Sequence, residues 1–139
     1  MSDERGNAVL EFTFLGVLLM VPLTYVLLTV LAVQKAAYAV TAAAREAGRM
    51  FVTASDEDSG RARADDAARL ALRDHGLPAT PVQITCETEP CLTPGASVRI
   101  SVSTRVRLPF VPDVLGRAPA SVRVTGRHDG VVDRFRSAG

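Results

Sequence analysis

Residues 12–33, FTFLGVLLMVPLTYVLLTVLAV, form a run of 22 positions without a formal charge. At a helical rise of 1.5 Å per residue the run extends about 33 Å, enough to cross a hydrocarbon core of about 30 Å. Helix-favouring sequence continues through the Ala-rich QKAAYAVTAAAREAGRMFV, so one helix is expected over 7–54, with its membrane-spanning part at 12–33. Residues 8–53 alone would measure about 69 Å, far more than a bilayer needs. Pro22 removes one helical hydrogen bond and predicts a kink in the span. Gly16, Thr24 and Thr29 offer small or hydroxylated surfaces for close helix contacts.

The pattern breaks at SDEDSG, residues 55–60, which reads as a solvated linker. Asp56, Glu57 and Asp58 cluster there without the spaced ligands of a calcium loop. A second helix is expected at about 61–75, with Ala64, Ala68, Ala71, Leu72 and His75 on one face. Asp65 and Arg69 are spaced for an i,i+4 pair, and Gly76 with Pro78 forms a C-terminal stop.

Period-two alternation then takes over. Val82, Ile84 and Cys86 alternate with Gln83 and Thr85. In SVRISVSTRVRL, Val98, Ile100, Val102, Thr104, Val106 and Leu108 point one way, and Arg99, Ser101, Ser103, Arg105 and Arg107 the other. Pro109, Pro112 and Gly116 mark a loop before a third strand at 120–124, and DGVVDRFRSAG offers an optional edge strand. The expected fold is α+β. A long N-terminal transmembrane helix precedes a small exported domain, 61–139, with one further helix and a 3–4-stranded antiparallel sheet covered by the Ala-rich helices.

The 139-residue length allows one domain, and the mean hydropathy of +0.17 conceals a lopsided distribution. Residues 34–139 carry 15 Arg and Lys against 12 Asp and Glu. A formal charge of +1 with 5% aromatic residues argues against nucleic acid as a partner. Arg99, Arg105, Arg107 and Arg123 make a basic stripe, which is more often the solvated side of a sheet than a site for anionic glycans or surfaces. Cys86 and Cys91 enclose a four-residue, Pro-containing loop. In a reducing compartment they would be free thiols or part of a metal site, and outside it a small disulfide. Two thiolates without a nearby His make zinc improbable, and no metal or other cofactor is expected. No phosphate loop, nucleophile elbow or HExxH element occurs. His75 closes a helix, His128 in RHDG reads as a turn, and no enzymatic activity is expected.

Glu11 stands at the edge of the apolar run, where an ionised carboxylate is costly: it either snorkels to the headgroups at the helix end or has a partner or a task. Arg5-Gly6 precedes it, followed by Asn7-Ala8-Val9-Leu10-Glu11-Phe12 and the uncharged helix. This arrangement resembles a type IV prepilin N-terminus: a short hydrophilic leader ending in Gly, a cleavage point, and Glu at the fifth mature position. With the Ala-rich AAREAGR that follows, residues 5–49 are most similar to TadE-like minor pilins or pseudopilins of tight-adherence (Tad) pilus systems. The resemblance implies that 1–6 is a leader, that Gly6 is its last residue, and that a prepilin peptidase exposes Asn7 as the new N-terminus. Glu11 would then pair with an α-amino group of its own or a neighbouring subunit, cancelling two charges in an apolar filament core, and Phe12 would begin the span. The implied partners are the peptidase, other pilin or pseudopilin subunits, the pilus assembly platform and membrane lipid. The implied placement has a cytoplasmic N-terminus and an extracytoplasmic C-terminal domain.

Lys35, Arg45 and Arg49 follow the span, so a positive-inside count does not favour that orientation, which rests on the resemblance. Two other readings stay open. In one, the helix merely tethers an extracytoplasmic binding module, which needs neither Gly6 nor Glu11. In the other, AAYA at 36–39 is the cleavage site of a secreted protein.

Overall fold

The computed structural model describes residues 4–108 and 121–135, and of residues 4–7 the backbone alone. Helix α1 (Glu4–Val52) is a single 49-residue helix with Pro22 inside it. Helix α2 (Glu57–Asp74) follows, then strands β1 (Gln83–Cys86), β2 (Ser97–Arg107) and β3 (Ser121–Val131), which form one antiparallel sheet in that order. The α+β class and the antiparallel sheet are as expected, with three strands among the described residues. Leu108, at the end of the expected β2 pattern, lies just past the strand, and the expected loop with Pro109, Pro112 and Gly116 lies outside the described residues.

Three expectations are corrected. Residues 57–60 are not linker but the first turn of α2: Asp56 is extended at φ −142°, ψ 167°, and its carboxylate accepts the Ser59 amide at 2.9 Å. An Asp cap followed by Glu57 and Asp58 satisfies orphan amides and complements the helix dipole, so the acidic cluster starts a helix. Second, RHDG is not a turn. β3 pairs with β2 through eleven consecutive positions, from Ser97↔Val131 to Arg107↔Ser121, and His128 stands opposite Ile100. Third, the optional edge strand is absorbed: Asp129, Gly130 and Val131 complete β3.

α2 stops as its sequence requires. Gly76 adopts φ 67°, its amide donates to the Arg73 carbonyl at 2.8 Å, and the Leu77 amide reaches back to Leu72 at 3.0 Å. That pair of bonds caps the last carbonyls and needs a left-handed residue at Gly76.

The core lies on the C-terminal part of α1. Ala36, Ala39, Val40, Ala43, Ala44, Ala47 and Phe51 are buried, recurring every three or four residues. From Ala39 onward they pack against Ala64, Ala68 and Leu72 of α2 and against Val98, Ile100 and Val102 of β2. Alternation in β2 is strict: Val98, Ile100, Val102, Thr104 and Val106 are all buried. Thr104, fully buried, donates its hydroxyl to the Pro78 carbonyl at 2.7 Å, so the one hydroxyl in that row is satisfied.

β3 meets α1 through glycine. A Cβ on Gly126 would lie 2.5 Å from the carbonyl carbon and oxygen of Val40 and 2.7 Å from the Thr41 amide nitrogen. Farther along α1, a Cβ on Gly48 would lie 2.8 Å from Cδ2 of His128, so the helix there makes room for the imidazole. Backbone is on both sides at Gly126, so neither element can give way cheaply. Gly126→Ala is expected to destabilise the fold by about 1–3 kcal/mol, a melting shift of several degrees. Gly16→Ala, where nothing lies within 4 Å, is expected to leave the melting of the sheet and α2 unchanged. Thermal unfolding of the full chain in detergent, followed by circular dichroism, checks both.

Candidate functional site

The candidate site is α1 itself, in two halves that face different surroundings. The large apolar side chains from Val9 to Leu31 are 42–80% exposed, whereas Ala39, Ala43 and Ala47 are fully buried. The helix has one candidate membrane span, within Ala8–Val52, whose most apolar window has a mean hydropathy of 2.4 and no burial. Sixteen large apolar side chains exposed along Val9–Leu31, at roughly 1.5–3 kcal/mol each, favour transfer to an apolar phase by an amount on the order of 20–50 kcal/mol. An exposed apolar surface of this extent marks this half of α1 as a candidate membrane span.

Polar groups in the span are compatible with lipid. The hydroxyls of Thr13, Thr24 and Thr29 donate to the carbonyls of Val9, Met20 and Tyr25, four residues back, at 2.8–2.9 Å. Thr24 and Thr29 therefore satisfy themselves within α1 and need no partner helix for their protons. Glu11 is exposed on the helix surface and Phe12 is 80% exposed beside it. Gly6 and Asn7 lie within the helical backbone of α1. The structure thus places Gly6, Asn7, Glu11 and Phe12 on consecutive turns of one helix, without bringing them near the sheet. The cost of Glu11, about 2.5–3.5 kcal/mol even at the bilayer centre, is small against the apolar transfer.

Cys86 and Cys91 form a disulfide with Cα atoms 5.2 Å apart, closing the end of β1. Cys91 is 4% exposed, and its amide donates to Glu57 Oε1 at 2.6 Å. Arg61, one helical turn on, lies over the Phe51 ring at 5.9 Å. The disulfide loop is therefore fastened to the start of α2 and, through Phe51, to α1. Nothing in the sequence spacing pointed to Glu57 as that fastening, because its partner is a backbone amide 34 residues away. Among the described residues no three His, Cys, Asp or Glu side chains converge as a metal site would require.

Electrostatics act at the joints of this scaffold. The Val82 amide donates to Asp65 Oδ1 at 2.9 Å, and Arg69 donates to the other carboxylate oxygen. The Val82 bond first, and Arg69 after it, hold the Asp65 carboxyl below its ordinary value against the opposing effect of burial. Asp56 is lowered likewise, chiefly by the Ser59 amide and then by the Ser59 and Ser55 hydroxyls. On the outer sheet face Asp129 is lowered and Arg99 raised by their mutual bond at 2.7 Å.

Comparison with family models, with curated proteins and with solved structures finds no match for this chain.

A depressed carboxyl contributes stability above its unfolded value, about 3.9, and loses it as pH falls through the folded value. Asp65→Ala removes the acceptor of the Val82 amide, and is expected to cost about 1 kcal/mol at neutral pH. The difference from the parent chain should narrow as pH falls below the ordinary carboxyl range and through the lowered folded-state value of Asp65, where the parent carboxyl is itself protonated. Melting curves of both chains across that range test the sign.

Proposed function

We propose that this chain is a membrane-inserted minor pilin or pseudopilin subunit, processed after Gly6 by a prepilin peptidase and acting in assembly of a Tad-type adhesion pilus. The observation that carries the reading is the order Gly6-Asn7-Ala8-Val9-Leu10-Glu11 immediately before the uncharged run, all on one uninterrupted helix. A subunit of this kind needs a helix that serves two surroundings. Its first half is handed from lipid to neighbouring helices, and its second half holds a folded head. α1 has that division, with exposed apolar residues to Leu31 and buried alanines from Ala36 onward.

Glu11 has a physical task in this reading. Cleavage after Gly6 creates an α-amino group at Asn7, and a carboxylate four residues on can meet such a group from its own or an adjacent subunit. Two charges that would each be costly in an apolar core then cancel, and a misregistered subunit leaves Glu11 unpaired. The subunit acts structurally rather than as an enzyme, with the N-terminus cytoplasmic and the sheet domain outside. Cleavage at 36–39 instead would cut α1 where Ala36 and Ala39 are fully buried, removing part of the head's own core.

The test is intact mass and N-terminal sequencing of the chain from membranes containing a matching prepilin peptidase. A mature chain starting at Asn7 is expected, with processing lost in Gly6→Ala. Glu11→Val should be processed normally yet enter filaments at less than about a tenth of the parent level, the effect of losing one buried charge pair. A chain that keeps its first residues in the presence of the peptidase would leave a tethered module in place of a pilin.

A further inference from the structure

We infer that the end of the sheet nearest the span, with Arg105, Arg107 and Arg123 on its outer face, is a contact surface for the anionic phosphate headgroups of the membrane that α1 crosses. The inference rests on reading 12–33 as a span but not on a pilus role, and it holds for either orientation of the chain.

Geometry sets the level of the arginines. Gly126 abuts Val40 and Thr41, and Gly130 abuts Val52 with a virtual Cβ 3.3 Å from its Cγ1, so β3 and α1 run in the same direction. Arg123 precedes Gly126 by three strand residues, about 10 Å. Val33, the last residue of the uncharged run, precedes Val40 by seven helical residues, about 10.5 Å. Arg123 and Arg105, paired directly across the strands, therefore stand near the level at which α1 leaves the apolar phase. Lys35, exposed on α1, lies at the same level, and Arg107 stands opposite Ser121 one step nearer the membrane.

The charge pattern is graded along the sheet in the sense a membrane would select. Both carboxylates on the described outer face, Glu87 and Asp129, lie toward the far end beside Arg99 and Arg127, so charge there is mixed and Asp129 neutralises Arg99, whereas the near end carries bases alone. Arg105, Arg107 and Arg123 form no salt bridge among the described residues. The connection 109–120 brings one acid and one base, Asp113 and Arg117, and so no net neutralisation. Arg105 directly opposite Arg123 is a like-charge cross-strand pair, which opposes folding. An anionic surface within about 8 Å, the screening length at physiological salt, attracts both guanidinium groups and offsets that repulsion. Guanidinium groups suit this contact because they bind phosphate oxygens through two parallel hydrogen bonds. Ser121 and Thr125, in the rows on either side of the Arg105–Arg123 pair, supply uncharged donors.

The chain contains no tryptophan, so a single introduced one reports its own surroundings. Full-length Ser121→Trp, Thr85→Trp and Leu28→Trp chains are placed in phosphatidylcholine nanodiscs with and without phosphatidylglycerol, using lipids nitroxide-labelled on the headgroup or the acyl chain. Headgroup quenching of Ser121→Trp should rise roughly twofold or more with phosphatidylglycerol, while Thr85→Trp at the far end stays unquenched. Adding Arg105→Gln with Arg123→Gln, which removes charge without introducing repulsion, should abolish the rise, as should high salt. Circular dichroism and an intact Cys86–Cys91 bond establish that these variants are folded. Quenching that is absent, or indifferent to both phosphatidylglycerol and the arginine substitutions, overturns the inference. So does protection of Ser121→Trp from a soluble quencher that scales with protein per disc, which would assign this face to a second copy. Leu28→Trp quenched by the acyl-chain label keeps the span reading whatever the sheet does, and its failure to be quenched overturns both.

Discussion

The rest of the molecule depends on how closely other elements can approach the second half of α1. Ala39, Ala43, Ala44 and Ala47 give that half a thin, apolar coat, and α2, β2 and β3 all rest on it. At Gly126 the approach is so close that strand and helix backbones touch without intervening side chains. Small residues keep each contact weak individually, yet they allow dense packing over a long stretch, where many weak dispersion contacts add up. Larger anchors are few. Phe51 and Leu72 close the interface between α1 and α2, and Ile100, Val98 and Val102 supply most of the bulk from the sheet.

A thin core places weight on the joints between elements, and three carboxylates serve there. Asp56 starts α2, Glu57 holds the disulfide loop against that start, and Asp65 holds the chain entering β1. Each accepts a backbone amide, a charge-assisted bond that fixes the path of the chain as well as adding energy. The disulfide closes a five-residue separation, so its effect on unfolded-chain entropy falls below the roughly 3 kcal/mol of a 15-residue loop. Its main structural consequence is local: it makes the β1 end a compact body that Glu57 can grip. Acidity would loosen these joints together, because the Asp56 and Asp65 carboxyls both lie below their ordinary values.

What could be read from the sequence was what repeats. The uncharged run, the alanine-rich continuation and the alternation of β2 are periodic over ten residues or more, and each formed as read. Features that failed were short and depended on distant partners. SDEDSG looked like a linker because acidic residues near a glycine are common in loops, although Asp56 with Glu57 and Asp58 is also a helix-start signal. RHDG looked like a turn because its residues favour turns, but pairing along β2 overrides that preference, and Gly126 and Gly130 are small there because α1 passes over them. The candidate site divides the same way. Gly6, Glu11 and Phe12 are singled out by their order in the sequence and rest on that order still, whereas the level of the arginines along α1 required the register of β3.

The two halves of α1 meet with almost nothing between them. The uncharged run ends at Val33 and burial in the head begins at Ala36, leaving Gln34 and Lys35 as the only separation, both inside the helix. Loops usually let a folded domain reorient relative to its anchor, and here no loop exists at that point. Any reorientation of the first half of α1 is thus passed directly to the sheet, with no loop to absorb it. A lever of 49 residues, about 74 Å long, joins the two halves with no joint of its own beyond Pro22.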